Sequence, residues 1–238
     1  MKKRLQTILA HAGIASRRRA VEIIESGRVK VDGEVIREKG FKADPEKNNV
    51  SVDGAPLQAE EKKYYFLLNK PKNVISTAKD THERRKITDF FNKTDARLYP
   101  VGRLDRDTTG AIIITNDGEL AHKLAHPSFE IEKEYTATVE GAIREGDVKR
   151  IAKGIAVEGR KTSPCEIKLV QRDKSTSVYK LKLHEGRKRQ IRRMFEEAGG
   201  KVVKLKRVKY AGLTLKGLRE GEYRKLTDRE IERLKGLK

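Results

Sequence analysis

VGRLDRDTTGAIIITNDG, Val101 to Gly118, is the stretch that decides how this chain is read. Its second half is a short apolar β run, Ile112-Ile113-Ile114, closed by the turn signal Asn116-Asp117-Gly118. Its first half crowds Arg103, Asp105, Arg106 and Asp107 against that strand. Two readings compete for this charge. In the plainer one, which composition alone favours, the aspartates sit in a turn and pair with neighbouring arginines. In the other, Asp105 and Asp107 are a carboxylate pair that does chemistry. The flanking arginines then favour the ionised form, which suits a nucleophile or base rather than a proton donor.

Further strands surround this one: YYFLLNKP from Tyr64, EKEYTATVEG from Glu132, GIAVEG from Gly154, PCEIKLVQ from Pro164, SVYKLKLHEG from Ser177 and KVVKLKRV from Lys201. Helices interrupt them. One starts near Glu119, and one near Gly146–Lys153 carries Val148 and Ile151. In KRQIRRMFEEAGG, Ile191, Met194, Phe195 and Ala198 form an i, i+3, i+4, i+7 stripe ended by Gly199-Gly200. A last helix opens on the capping box Thr227-x-x-Glu230. Strands with interspersed helices and no regular βαβ alternation predict an α+β fold with a mixed, mostly antiparallel sheet.

The first sixty residues read as a separate module. Leu5, Ile8, Leu9 and Ala12 recur at helical spacing, and Gly13 suits the position after the helix. Ser16 caps a second helix with Ala20, Val21, Ile23 and Ile24 on its apolar side, and Gly27 ends it. RVKVDGEVI then alternates around Asp32-Gly33, a primed hairpin turn. Arg17, Arg18 and Arg19 fill the first turn of the second helix, where each opposes the helix dipole at a cost of roughly 0.3–1 kcal/mol. A local rule broken three times in a row points to a phosphate partner. The charged joint QAEEKKY, Gln58 to Tyr64, separates two expected domains, residues 1–60 and 61–238.

Charge is the dominant bulk signal: 55 Lys and Arg against 35 Asp and Glu leave +20 on 238 residues. Such an excess draws a protein to polyanions. Nucleic acid fits better than a membrane surface, because no basic helix carries a bulky apolar face. The single cysteine, Cys165, forms no disulfide framework, and the five histidines lack metal-ligand spacing. No apolar run reaches transmembrane length, and the N-terminus has too short an apolar run for a signal peptide, so a cytoplasmic protein is expected. Walker, dinucleotide and serine-elbow motifs are missing. Carboxylate chemistry steered by arginine and tyrosine remains.

Several separated motifs sharpen this reading. NKPKNVIST (from Asn69), YPVGRLDRDTTGAIIITNDGELAHKLAHPSFEIEKEY (from Tyr99) and GRKRQIRRMFEEAGGKVVKLKRVKYAGL (from Gly186) resemble, in order and spacing, the RsuA/RluB family of ribosomal RNA pseudouridine synthases, most closely its 23S rRNA branch. LQTILAHAGIASRRRAVEIIESGRVKVDG resembles the small RNA-binding module found in a small-subunit ribosomal protein and in several RNA-modifying enzymes. The family's usual glycine in the first motif is Asn73 here, a residue that tolerates positive φ.

The resemblance implies a reaction without cofactor or metal. Uracil is detached from its sugar, rotated and reattached through carbon. It also singles out Asp105 over Asp107 as the catalytic carboxylate, acting either as nucleophile at the anomeric carbon or as base at its neighbour. By the same resemblance Arg192 supplies a counter-charge, Tyr135 packs on the target uracil, Arg103 enters the space left by the flipped base, and Ile191 and Leu205 form an apolar floor. Lys133 supports the site rather than acting in it. Arg17, Arg18, Arg19, Lys30, Arg187, Lys188 and Arg189 are the expected RNA contacts. The expected protein is a cytoplasmic monomer whose partner is ribosomal RNA, with no membrane partner. A 16S rRNA enzyme, or a non-catalytic RNA-binding or ribosome-assembly protein, is the alternative.

Overall fold

The computed structural model describes residues 1–57, 62–77, 80, 82, 84–92, 94 and 96–237. Residues 58–61 of the expected joint lie outside the described residues. The chain divides into two compact units. The first comprises Met1–Lys63, Thr94–Arg97 and Asn116–Gly118; the second comprises Tyr64–Lys93, Leu98–Thr115 and Glu119–Lys238.

In the first unit the elements are β1 (Lys3–Arg4), α1 (Leu5–His11), α2 (Arg17–Glu25), β2 (Val29–Val31), β3 (Glu34–Ile36), β4 (Lys42–Ala43), β5 (Val50–Val52) and β6 (Ala55–Pro56). Local signals place them as read. Ser16 Oγ accepts from the Arg19 amide at 3.1 Å, satisfying one free donor of the α2 terminus. Asp32 and Gly33 both take positive φ, +51° and +91°, as the primed turn between β2 and β3 requires. A second Asp-Gly turn, Asp53-Gly54, joins β5 to β6 in the same way and extends the sheet to the order β3-β2-β5-β6. Leu5, Leu9, Ala20, Ile24, Val29 and Val52 are buried together between the helices and this sheet.

The second unit contains β7 (Tyr65–Lys70), β8 (Tyr99–Pro100), β9 (Thr109–Thr115), α3 (Gly118–Ala125), β10 (Lys133–Glu140), α4 (Glu145–Ala152), β11 (Ala156–Val157), β12 (Arg160–Lys161), β13 (Glu166–Arg172), β14 (Thr176–Leu183), α5 (Gln190–Glu196), β15 (Lys201–Tyr210), β16 (Leu213–Thr214), β17 (Tyr223–Lys225) and α6 (Asp228–Gly236). The fold is α+β, with a large sheet in the order β13-β14-β10-β15-β9-β7-β17. Its pairings are antiparallel except for β9 with β15, which run parallel in the middle. The segment GIAVEG forms only the short hairpin strand β11, turned by Glu158 and Gly159 at positive φ.

Two apolar cores divide the sheet. Ala137, Val139, Tyr179 and Leu181 pack under the α5 stripe of Ile191, Met194 and Phe195. Leu67, Ile113 and Tyr210 pack with Leu120 and Leu124 of α3 and Leu234 of α6. The α6 capping box forms, with Thr227 Oγ1 accepting from the Glu230 amide and Glu230 accepting from the Thr227 amide.

Candidate active site

The loop from Gly102 to Thr108 leads from β8 into β9, and backbone contacts hold it on both sides. Ser76 Oγ donates to Leu104 O at 2.8 Å and accepts from Leu104 N at 3.1 Å. The Asn73 amide donates to Arg106 O at 2.8 Å, from a residue at φ +65°. Within the loop the Thr108 amide donates to Asp105 O at 3.0 Å. Beneath the loop, Lys70 is fully buried at the end of β7, and its Nζ donates to Thr108 O at 2.9 Å and Pro71 O at 3.0 Å. Burial pushes the Lys70 ammonium down to about 8, and the charges of Asp107, Asp105 and Glu220 oppose that shift. A buried cation thus lies within electrostatic range of both loop carboxylates.

The Asp105 side chain is half-buried and makes no hydrogen bond or ion pair among the described residues. It faces a cleft of about 870 Å³ whose lining includes Arg103, Tyr135, Ile191, Leu205, Arg187, Lys188 and Arg189. Eight residues singled out from sequence, scattered from position 103 to 205, therefore meet in one cavity, because β15 lies between β10 and β9 and α5 packs against β15.

Arg192 is the departure. It does not line the cleft and is only 5 % exposed. Its Nη2 pairs with Asp107 Oδ2 at 2.9 Å, and its Nη1 donates to Val202 O at 2.7 Å. The counter-charge expected for Asp105 is thus spent on Asp107, which also draws Arg189 to 3.7 Å. Arg192 Nη2 also donates to Asp107 O at 3.4 Å, so it holds the loop at Asp107 by side chain and backbone together.

The remaining cations are distributed unevenly. Arg187 is held by the carbonyls of Arg160 and Lys161 and by Glu185, so it shapes the cleft wall. Arg189 sits at φ +53°, an unfavourable backbone for a non-glycine residue. In the other unit Arg17, Arg18, Arg19 and Lys30 are exposed, and Arg19 pairs with Glu22.

Three residues of the site escaped the sequence reading: Lys70, Ser76 and Arg207. Lys70 ends an apolar strand, which disguises it as a boundary residue. Arg207 has a readable signal, since it lies two positions from Leu205 and so shares its buried face in the alternation of β15. Arg207 is 2 % exposed, lines the cleft, and donates from Nε to Ala111 O at 2.6 Å. No three His, Cys, Asp or Glu side chains among the described residues come together as metal ligands do.

Comparison with known proteins gives consistent matches. Residues 64–197 match the family model described as RNA pseudouridylate synthase, and residues 3–57 match the S4 domain. The ribosomal large subunit pseudouridine synthase B of Bacillus subtilis (strain 168) is 48% identical over 99% of this chain and 96% of its own length. The ribosomal small subunit pseudouridine synthase A of Escherichia coli (strain K12) is 35% identical over 96% of this chain and 98% of its own. A crystal structure of a pseudouridylate synthase superposes with a TM-score of 0.69 at 33% identity, covering 97% of this chain and 99% of that one.

Proposed function

The chain belongs to the RNA pseudouridylate synthase family, and from that premise we propose that it isomerises a uridine of large-subunit (23S) ribosomal RNA to pseudouridine. The observation that carries the choice of RNA is the 48% identity, along nearly the whole chain, to a protein named for the large subunit. The 35% identity to a protein named for the small subunit makes 16S rRNA the second reading. We place the domain boundary at residues 60/61 and the reaction in the cytoplasm.

In this reading Asp105 acts on the sugar, either bonding to the anomeric carbon or taking the proton of its neighbour. Its unpaired carboxylate in the cleft supports that role, because a nucleophile or base needs a free lone pair. Tyr135 offers an aromatic face for an extruded base. Arg103, exposed at the cleft mouth, fills the stack that the base leaves, offsetting a flip that costs a few kcal/mol. Ile191 and Leu205 give the base an apolar floor. Arg192 holds the loop through Asp107, so its action on Asp105 is indirect. Exposed Arg17, Arg18 and Lys30, with Lys188, meet phosphates, while Arg19, Arg187 and Arg189 divide their charge between RNA and protein partners.

The test is pseudouridine mapping on 23S and 16S transcripts incubated with the protein. Asp105→Asn is expected to bind RNA as the wild type does and to form no pseudouridine. Normal turnover by Asp105→Asn would remove Asp105 from its role. Modification confined to 16S would reverse the choice of RNA.

A further inference from the structure

We propose that Lys133 and Arg207 together hold the negative charge that uracil carries while it is detached from its sugar. The proposal deepens the pseudouridine synthase reading and rests on it. It starts from strand register. Tyr135 of β10 lies directly opposite Arg207 of β15, and Lys133, two residues before Tyr135, lies opposite Tyr210. An irregularity between these pairs puts Arg207 and Tyr210 on the same face although they are three residues apart. The Arg207 guanidinium accordingly sits 4.3 Å above the Tyr210 ring. One sheet face therefore presents Lys133, Tyr135 and Arg207 together, and all three line the cleft of Asp105. A base stacked on Tyr135 lies between the two cations.

Neither cation is neutralised. Among the described residues, no carboxylate forms an ion pair with Lys133 or Arg207. Of the other carboxylates at the cleft, Asp80 is taken by Arg84, and Glu185 by Arg187 and Gln190. Lys133 Nζ donates to Ile131 O at 2.7 Å and His184 O at 3.3 Å, which leaves one of its three protons unused. Arg207 Nη2 is buried without any partner. The two charges also feel each other: Lys133 is pushed down to about 8, first by burial and then by Arg207, with Glu185 opposing. Two cations side by side, Arg207 buried and Lys133 half-buried, cost stability unless an anion comes between them.

The reaction generates such an anion. When the bond between the sugar's C1′ and N1 breaks, N1 keeps the electron pair, and uracil becomes a monoanion spread over N1, O2 and O4. This holds whether Asp105 bonds to C1′ or removes the C2′ proton. When C5 then bonds to C1′, the C5 proton leaves and N1 gains one, so the charge disappears again. A cradle for it stabilises the transition state and the detached base, not the bound substrate, and so acts on the rate rather than on affinity.

The experiment uses full-length protein and an rRNA fragment that the wild type modifies. It compares Lys133→Met, Arg207→Met and Arg207→Lys. Single-turnover rates at saturating RNA are expected to fall about 10²-fold for each Met variant, with RNA Kd within twofold of wild type. Arg207→Lys is expected to recover part of the loss. Thermal unfolding checks the fold, and Lys133→Met with Arg207→Lys suffices if Arg207→Met fails to fold. Unchanged rates in the Met variants would overturn the proposal. So would a rise in Kd with an unchanged saturated rate, which would assign the pair to a phosphate. A wild type that forms no pseudouridine in any rRNA would instead overturn the underlying functional reading, and this proposal with it.

Discussion

Gly110 should not tolerate even a methyl group. It is the last residue of the charged motif and the second of β9, at φ +110°. At this point β9 runs parallel to β15, with Gly110 opposite Arg207. A Cβ here would lie 2.2 Å from Arg207 O and 2.7 Å from Arg207 N, whereas ordinary contact begins near 3.4 Å. The obstacle is backbone, so β15 itself must retreat by about 1 Å. Overpacking of this kind costs about 1–3 kcal/mol, and forcing an L-residue into this backbone costs about 1–3 kcal/mol more. Gly110→Ala is therefore expected to lose about 2–6 kcal/mol in urea unfolding. The chain has no tryptophan, so far-UV circular dichroism is the suitable probe. Gly217→Ala is the control, since Gly217 has φ +74° but open space around its Cβ, and only the backbone strain applies. The same retreat would move Arg207 relative to Asp105, and a 1 Å misplacement can cost about 10²-fold in rate. Equal losses in Gly110→Ala and Gly217→Ala, with full pseudouridine formation in both, would refute the close approach.

Lys70 makes stability depend on alkaline pH. Its ammonium titrates near 8 in the folded protein against 10.5 when unfolded, so between these values the unfolded chain binds more protons and stability rises with pH. The gain is about 3 kcal/mol. Hence the stability difference between wild type and Lys70→Met should move toward wild type between pH 7.5 and 10, and a constant difference would count against a buried ammonium. Arg192→Met should cost about 2–3 kcal/mol in unfolding, because it leaves the Val202 carbonyl without its donor and takes from Asp107 the closer of its two arginines. Asp107→Asn should cost less, since Asp107 is partly solvated, and a reversed order would place the buried partner wrongly. RNA affinity should fall steeply with salt through counterion release, so a flat plot of log Kd against log salt would refute phosphate-dominated binding.

Much of the fold was legible in the sequence where a short segment sufficed to specify it. The α2 cap at Ser16, the Asp32-Gly33 turn, the α5 stripe and the Thr227–Glu230 box depend on neighbours within a few residues, and all four form. Ordered motifs likewise identified the family and singled out Asp105, Tyr135, Ile191 and Leu205, which meet in one cleft. The choice of partner across the sheet was not legible. Arg192 turns to Asp107 over a separation of 85 residues, Arg207 reaches Ala111 across the parallel pair, and Lys70 lies under the loop at Thr108. Strand order and packing decide which side chains face one another, and neither periodicity nor spacing carries that information. Sequence by itself determined the elements and the family, and through that resemblance it singled out Asp105 over Asp107. Tertiary structure decided that the arginine read as that carboxylate's counter-ion anchors its neighbour, and that two other cations border the tyrosine.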